Sequence, residues 1–151
     1  MGPYFTYLTA ILLAISRGDP IITAYFAAFI GVATTIFIFF VGKYFFNFLT
    51  GFLASTLHAT LPLFVFYDQK YWNPMFVSLI ALSALVVFIL IKKSKWWWLA
   101  YAALLGVVLE TDLTPLPYLL IGIFYFIKDR YWRDIKLMAG CILIFLLFYW
   151  P

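Results

Sequence analysis

Charge is what this chain has least of. Only 11% of its 151 residues are Asp, Glu, Lys or Arg, against about 25% in a soluble domain. A small domain needs a polar outer shell, so a soluble globular protein is excluded. A cytosolic nucleic-acid binder is excluded with it, and so is a disordered chain, which requires low hydrophobicity and high charge. Cysteine is nearly absent: Cys141 stands alone in an apolar run, so no intrachain disulfide can form and the redox compartment is not legible. Phosphate loops, GxSxG, HExxH and paired CxxC motifs are all missing. Blocks of alternating apolar and polar residues are missing too, which removes a membrane β-barrel.

Apolar residues fill the space. They make up 67% of the chain and aromatics 23%, with a mean hydropathy of +1.06, where soluble domains reach about 45–50% apolar. The residues come in continuous runs such as IITAYFAAFIGVATTIFIFFVG. A spanning helix takes about 20 residues to cross the hydrocarbon. The expected fold is therefore an all-α membrane protein, one transmembrane domain over residues 1–151. Its expected spans are 20–42, 47–66, 74–92, 95–110, 114–128 and 134–150, six in all. Residues 3–16 are apolar but too short to cross, and read as a helix lying in the interface. Ala14 and Ser16 imitate a signal-peptide cleavage site, yet the basic region that should precede it is absent.

The charges sort by loop. Lys43, Lys92, Lys93, Lys95, Lys128, Arg130, Arg133 and Lys136 fall in alternate loops beside only Asp129 and Asp134. The remaining loops hold Arg17 and Lys70 with Asp19, Asp68, Glu110 and Asp112. Positive loops stay inside, so the first set is assigned to the cytoplasmic face. No expected span centre carries a charge, each of which would cost about 2.5–3.5 kcal/mol there. Trp96, Trp97, Trp98 and Trp132 then mark the inner interface, and Trp72 and Trp150 the outer one. Both termini come out extracytoplasmic, which is unusual for residue 1 and leads to the expectation of a helix preceding Met1, supplied by a missing segment or a partner chain; a short chain inserted with its N-terminus outside is the alternative.

Outer-face chemistry is the richest part of the chain. Asp19-Pro20, Asn73-Pro74 and Thr114-Pro115 each place a capping residue before a proline, a helix-start signature. The positive ends of three helix dipoles would face the outer interface and suit an anion, although ordinary capping explains the same pairs. The loop Tyr67-Asp68-Gln69-Lys70-Tyr71-Trp72-Asn73 combines an acid, a base, an amide and three aromatics. Carboxylates can hold sugar hydroxyls, a cation can hold phosphate, and rings can cover a sugar face. Glu110 and Asp112 form a second acidic pair, able to act as acid and base but too few to argue a metal. The plain alternative is that outer loops carry charge to stay wet. The two loops are expected to converge on one outer cavity. His58 lies within the second span. An intramembrane ionisable residue is a functional candidate, but Gly51, Ser55 and Ala59 form a small-residue stripe around it. A neutral His58 hydrogen-bonding across a close helix contact is the expected role, with Ala27, Gly31 and Thr35 as a comparable stripe. Pro62 should kink that span.

The order of segments resembles the GT-C glycosyltransferases, in particular the polyprenyl-phosphate-sugar group related to protein mannosyltransferases. The resemblance rests on Gly2-Pro3-Tyr4, on Gly18-Asp19-Pro20, and on Lys43 beside Tyr44, Phe45 and Phe46. It continues through Pro62, Tyr67-Asp68-Gln69, Trp72-Asn73-Pro74, and Gly106 with Thr111-Asp112-Leu113-Thr114. The sequence departs from the pattern at Gln69, where an Arg is usual, and at Asp112, where a base is usual. The resemblance implies transfer of a sugar from a polyprenyl-phosphate carrier to an acceptor on the extracytoplasmic face of a prokaryotic plasma membrane. The expected partners are the lipid-linked sugar and membrane lipids; no cofactor or metal is argued from the sequence, and composition leaves no nucleic-acid partner. The resemblance places the family's catalytic acid in a first outer loop upstream of Met1, so the chain is expected to be a fragment. Within it, Asp68 and Asp112 are the catalytic candidates, and Arg17, Tyr67, Lys70, Trp72 and Glu110 the substrate-binding ones. The alternative is a small multi-pass transporter or a scaffolding subunit of a membrane complex.

Overall fold

The computed structural model describes residues 3–113 and 116–149. Among them the regular secondary structure is helical, without strands. Eight α-helices run in chain order: α1 (Pro3–Ile15), α2 (Ile21–Phe45), α3 (Phe48–Thr60), α4 (Pro62–Asp68), α5 (Val77–Leu90), α6 (Trp97–Thr111), α7 (Leu116–Lys128) and α8 (Ile135–Tyr149). Short 3₁₀ turns occupy Asn73–Phe76 and Tyr131–Arg133. Helices thus occupy each of the six apolar segments and the N-terminal stretch. The Thr114-Pro115 start, Gly2 and Trp150 lie outside the described residues.

Length is the physical limit. At 1.5 Å per residue, a helix of 13–15 residues reaches only about two-thirds of the ~30 Å hydrocarbon core. One helix, α2 with 25 residues, is long and apolar enough to cross by itself. α3 and α4 make a second crossing if their broken pair counts as one, and the other apolar helices are shorter. What distinguishes α2 from a soluble core helix is the direction it faces. Phe29, Val32, Ile36 and Phe40 are more than half exposed, whereas Ala27, Gly31, Thr34 and Gly42 are buried. Large apolar groups outside and small or polar ones inside is the arrangement expected when the solvent is lipid.

The chain divides into two compact units, residues 6–79 and residues 80–151 together with 1–5. In the first, α2 and α3 form an antiparallel hairpin across a turn at Phe46 and Asn47, whose Oδ1 caps α3 by accepting the Thr50 N–H (2.8 Å). The crossing is set by two glycines. A Cβ on Gly42 would stand 2.7 Å from Gly51 Cα, and one on Gly51 would stand 2.5 Å from the Phe39 carbonyl oxygen. Only hydrogen atoms fit between these backbones.

In the second unit, α6 packs chiefly on α8. Trp98 is packed inside this unit, 4% exposed, surrounded by Phe88, Tyr101, Phe126 and Tyr131 at 5.0–6.2 Å between ring centroids. Trp96, Trp97 and Trp132 do face outward. Asp134 caps α8 through Leu137 N–H (3.2 Å) and binds Lys95 Nζ (2.6 Å).

Candidate functional site

The unit of residues 6–79 gathers polar groups around the break between α3 and α4. Pro62 has no N–H and pushes the residue before it out of helical conformation. Leu61 accordingly takes φ −67° and ψ 122°, and the two helices bend by 68°. The bend carries the end of α4 back onto α2. Asp68 was read as a loop residue; it is instead the last residue of α4, and its side chain rests on Gly31 of α2, where a Cβ would lie 2.7–2.8 Å from Asp68 Cβ, Cγ and Oδ2.

His58 lies beneath this contact, 7% exposed, with its ring stacked on Phe64 at 4.9 Å. Its Nδ1 is 3.0 Å from Thr35 Oγ1 and 3.8 Å from Asp68 Oδ2. The Thr35 hydroxyl also lies 3.0 Å from the Gly31 carbonyl, so the contact joins His58 to the α2 backbone. The hydrogen bond between facing stripes expected for His58 is present. Its neighbouring carboxylate was not expected, and sets a carboxyl oxygen 3.8 Å from the ring of a packing histidine.

The other outer-loop candidates follow Asp68 in the chain, except Tyr67, which directly precedes it, and Arg17, which precedes α2. Tyr67 and Trp72 stack nearly parallel, 5.3 Å between centroids and 12° apart, and both remain exposed. Lys70 is exposed and projects its ammonium over the Phe66 ring at 3.8 Å. Tyr71 OH meets Thr9 Oγ1 of α1 at 2.7 Å, tying the N-terminal helix to this loop. Arg17 occupies the turn between α1 and α2 in the left-handed region, φ 57°, with the helix end closed by Gly18 N–H to Leu13 O (2.8 Å). Asp19 Oδ1 accepts the Ile21 N–H (2.9 Å), as its position before Pro20 predicts. At the Asn73-Pro74 start, the residue flanking the 3₁₀ turn is Trp72, without a side-chain cap.

In the other unit, Glu110 belongs to the last turn of α6 and not to a loop, its side chain outside the described atoms. Asp112 closes that helix, its N–H bonded to Val108 O (2.9 Å). No cluster of three or more metal-ligating side chains occurs among the described residues.

A model of the dolichyl-phosphate-mannose-protein mannosyltransferase family matches residues 1–151. The chain belongs to this family. No curated protein and no solved structure matches it in the companion comparisons. Membership makes it a chain of a membrane-integral glycosyltransferase family of the GT-C type, whose donor is a dolichyl-phosphate sugar. For a mannosyltransferase-family chain, the informative residues missed by sequence reasoning are Thr35 and Gly31. Both stood out only as packing residues, though Gly31 leaves room for Asp68 and Thr35 orients His58. A signal was present: His58 precedes Pro62 by one helical turn, where a proline displaces the helix and brings new neighbours.

Proposed function

We propose that this chain binds a polyprenyl-phosphate sugar at the loop after α4 and takes part in transferring the sugar to an acceptor hydroxyl at the extracytoplasmic face of a multi-pass membrane domain. The observation that carries the reading is family membership over the whole chain, supported by an acid, a cation and a stacked aromatic pair within Tyr67–Trp72. Asp68 acts as the base that removes the acceptor proton, with His58 positioning its carboxylate. The hydroxyl oxygen attacks the anomeric carbon, the bond from that carbon to the phosphate oxygen breaks, and the lipid phosphate leaves with the electron pair. Lys70 and Arg17 supply positive charge for that phosphate, and Tyr67 with Trp72 offers a face for the sugar ring. Asp112 and Glu110 are kept as the second acidic candidates. The transporter alternative calls for charged groups lining a midplane path; family membership favours transfer.

The test is donor binding by the purified chain in lipid nanodiscs, read with a polyprenyl-phosphate mannose titration. Lys70→Ala is expected to weaken binding about tenfold, the worth of one charge-assisted phosphate contact, while Lys93→Ala leaves it unchanged. Equal effects of the two substitutions would remove the assignment.

A further inference from the structure

Within the unit of residues 80–151, α6, α7 and α8 leave an apolar groove of about 400 Å³, inside the roughly 300–1,000 Å³ range of ligand sites. Trp98 and Leu105 line it from α6, Gly122 and Phe126 from α7, and Cys141 and Phe145 from α8. Gly122 is needed for its shape, since a Cβ there would meet the Tyr101 ring at 2.6 Å. After the end of α7 a shallow, open depression is lined by Arg130, Arg133 and Lys136 together with Tyr131 and Asp134. The two are neighbours: the Tyr131 ring lies 5.7 Å from Trp98 and 6.0 Å from Phe126, both groove residues.

The basin is electrically unbalanced. Its one acid, Asp134, is already bound by Lys95 and by the α8 amide of Leu137. Among the described residues Arg130, Arg133 and Lys136 have no ion-pair partner. Arg130 takes φ 59°, and the turn it makes, closed by Arg133 N–H to Arg130 O (3.1 Å), brings all three cations to one concave surface. The buried indole N–H of Trp98, a groove residue whose ring neighbours Tyr131, is also without an acceptor.

We infer that this groove and basin form a binding site for an anionic glycerophospholipid of the leaflet on the basic-loop side. The phosphate lies among Arg130, Arg133 and Lys136, where arginine forks match its oxygens, and an acyl chain fills the groove. An ester carbonyl between them is the acceptor that Trp98 lacks. A zwitterionic lipid fits the groove equally well, but it brings its own ammonium to a basin that already holds three cations. Basic pockets between membrane helices select anionic head groups for this reason.

Native mass spectrometry of the full chain in detergent, titrated with phosphatidylglycerol or phosphatidylcholine of identical acyl chains, tests the site. Phosphatidylglycerol is expected to bind roughly a hundredfold more tightly, at about fivefold per basic residue. The triple variant R130Q/R133Q/K136Q should bring the two lipids within a few-fold of each other, while K92Q/K93Q keeps the preference. Ala102→Phe, which fills the groove, should weaken both lipids. Equal binding of the two lipids by the unmodified chain overturns the proposal, and that comparison stands even where the triple variant fails to fold. Loss of preference in K92Q/K93Q to the same extent overturns it as well, by reducing the effect to diffuse charge. Displacement of phosphatidylglycerol by an equimolar short polyprenyl phosphate assigns the groove to the sugar carrier instead, and sinks the idea.

Discussion

Asp68 rests on Gly31 with no room for a methyl group between them: a β-carbon on Gly31 would lie 2.7 Å from Asp68 Cβ and 2.8 Å from its Cγ and Oδ2. The contact ties the end of α4 to the middle of α2 and holds the carboxylate within 3.8 Å of His58 Nδ1. One glycine therefore links helix packing to the placement of the candidate base.

Gly31→Ala is expected to push Asp68 off α2. Overpacking of this kind costs about 1–3 kcal/mol, and the displaced carboxylate should lose its histidine. Thermal unfolding of the variant in detergent, alongside donor binding, checks both halves. An unchanged melting point together with unchanged binding would mean that α4 is not held where the contact places it.

Gly51→Ala tests the hairpin in a different way. Here the new methyl meets backbone, the Phe39 carbonyl at 2.5 Å and the Lys43 nitrogen at 2.7 Å, and neither can rotate away. The cost should reach or exceed the upper end of the ~1–3 kcal/mol overpacking range. Ser55→Ala, whose hydroxyl donates only to the Phe52 carbonyl of its own helix (3.0 Å), should be close to neutral by the same melting assay.

Membrane orientation is open to labelling. In a Cys141→Ala background, Gln69→Cys should react with an impermeant maleimide added to intact cells, and Ser94→Cys should react only after permeabilisation. The expectation follows from eight bases against two acids in one set of loops and two bases against four acids in the other. The reverse pattern would invert the topology and place the Asp68 loop in the cytoplasm.

Asp134 gives a pH dependence with a definite sign. Hydrogen bonds from the Lys95 ammonium and the Leu137 N–H hold its carboxyl below the usual value of 3.8. A carboxylate with a depressed folded pKa adds stability that is complete above its unfolded pKa and lost as pH falls through the folded one. Stability of the α6–α8 pair should therefore drop below pH 3.8 in the native chain. Asp134→Asn retains an oxygen for the α8 cap but should flatten that limb. Because the pair is partly exposed, added salt should shrink the difference. Circular dichroism melts across the acid range give the comparison.

Much of this protein was determined by local sequence. The position of every helix follows from where the apolar runs start and stop, because in lipid a backbone must satisfy its own hydrogen bonds. The break at Leu61 follows from Pro62 and the cap at Ile21 from Asp19, since both act over a few residues. Gly51 stood out for its small neighbours, and His58 for being ionisable within an apolar run. What only the tertiary structure decided was the partners. Gly42 meets Gly51, Asp68 meets Gly31, and Thr35 meets His58 because the α2–α3 register and the 68° bend bring them together. Trp98 is buried for a similar reason, being enclosed by rings from Phe88, Phe126 and Tyr131 that lie far from it in sequence or on other elements. Hydropathy reports which residues avoid water. In a chain apolar on every side it carries little information about which face of a helix meets protein and which meets lipid, and that choice is made by the close fit of small residues across the helix contacts.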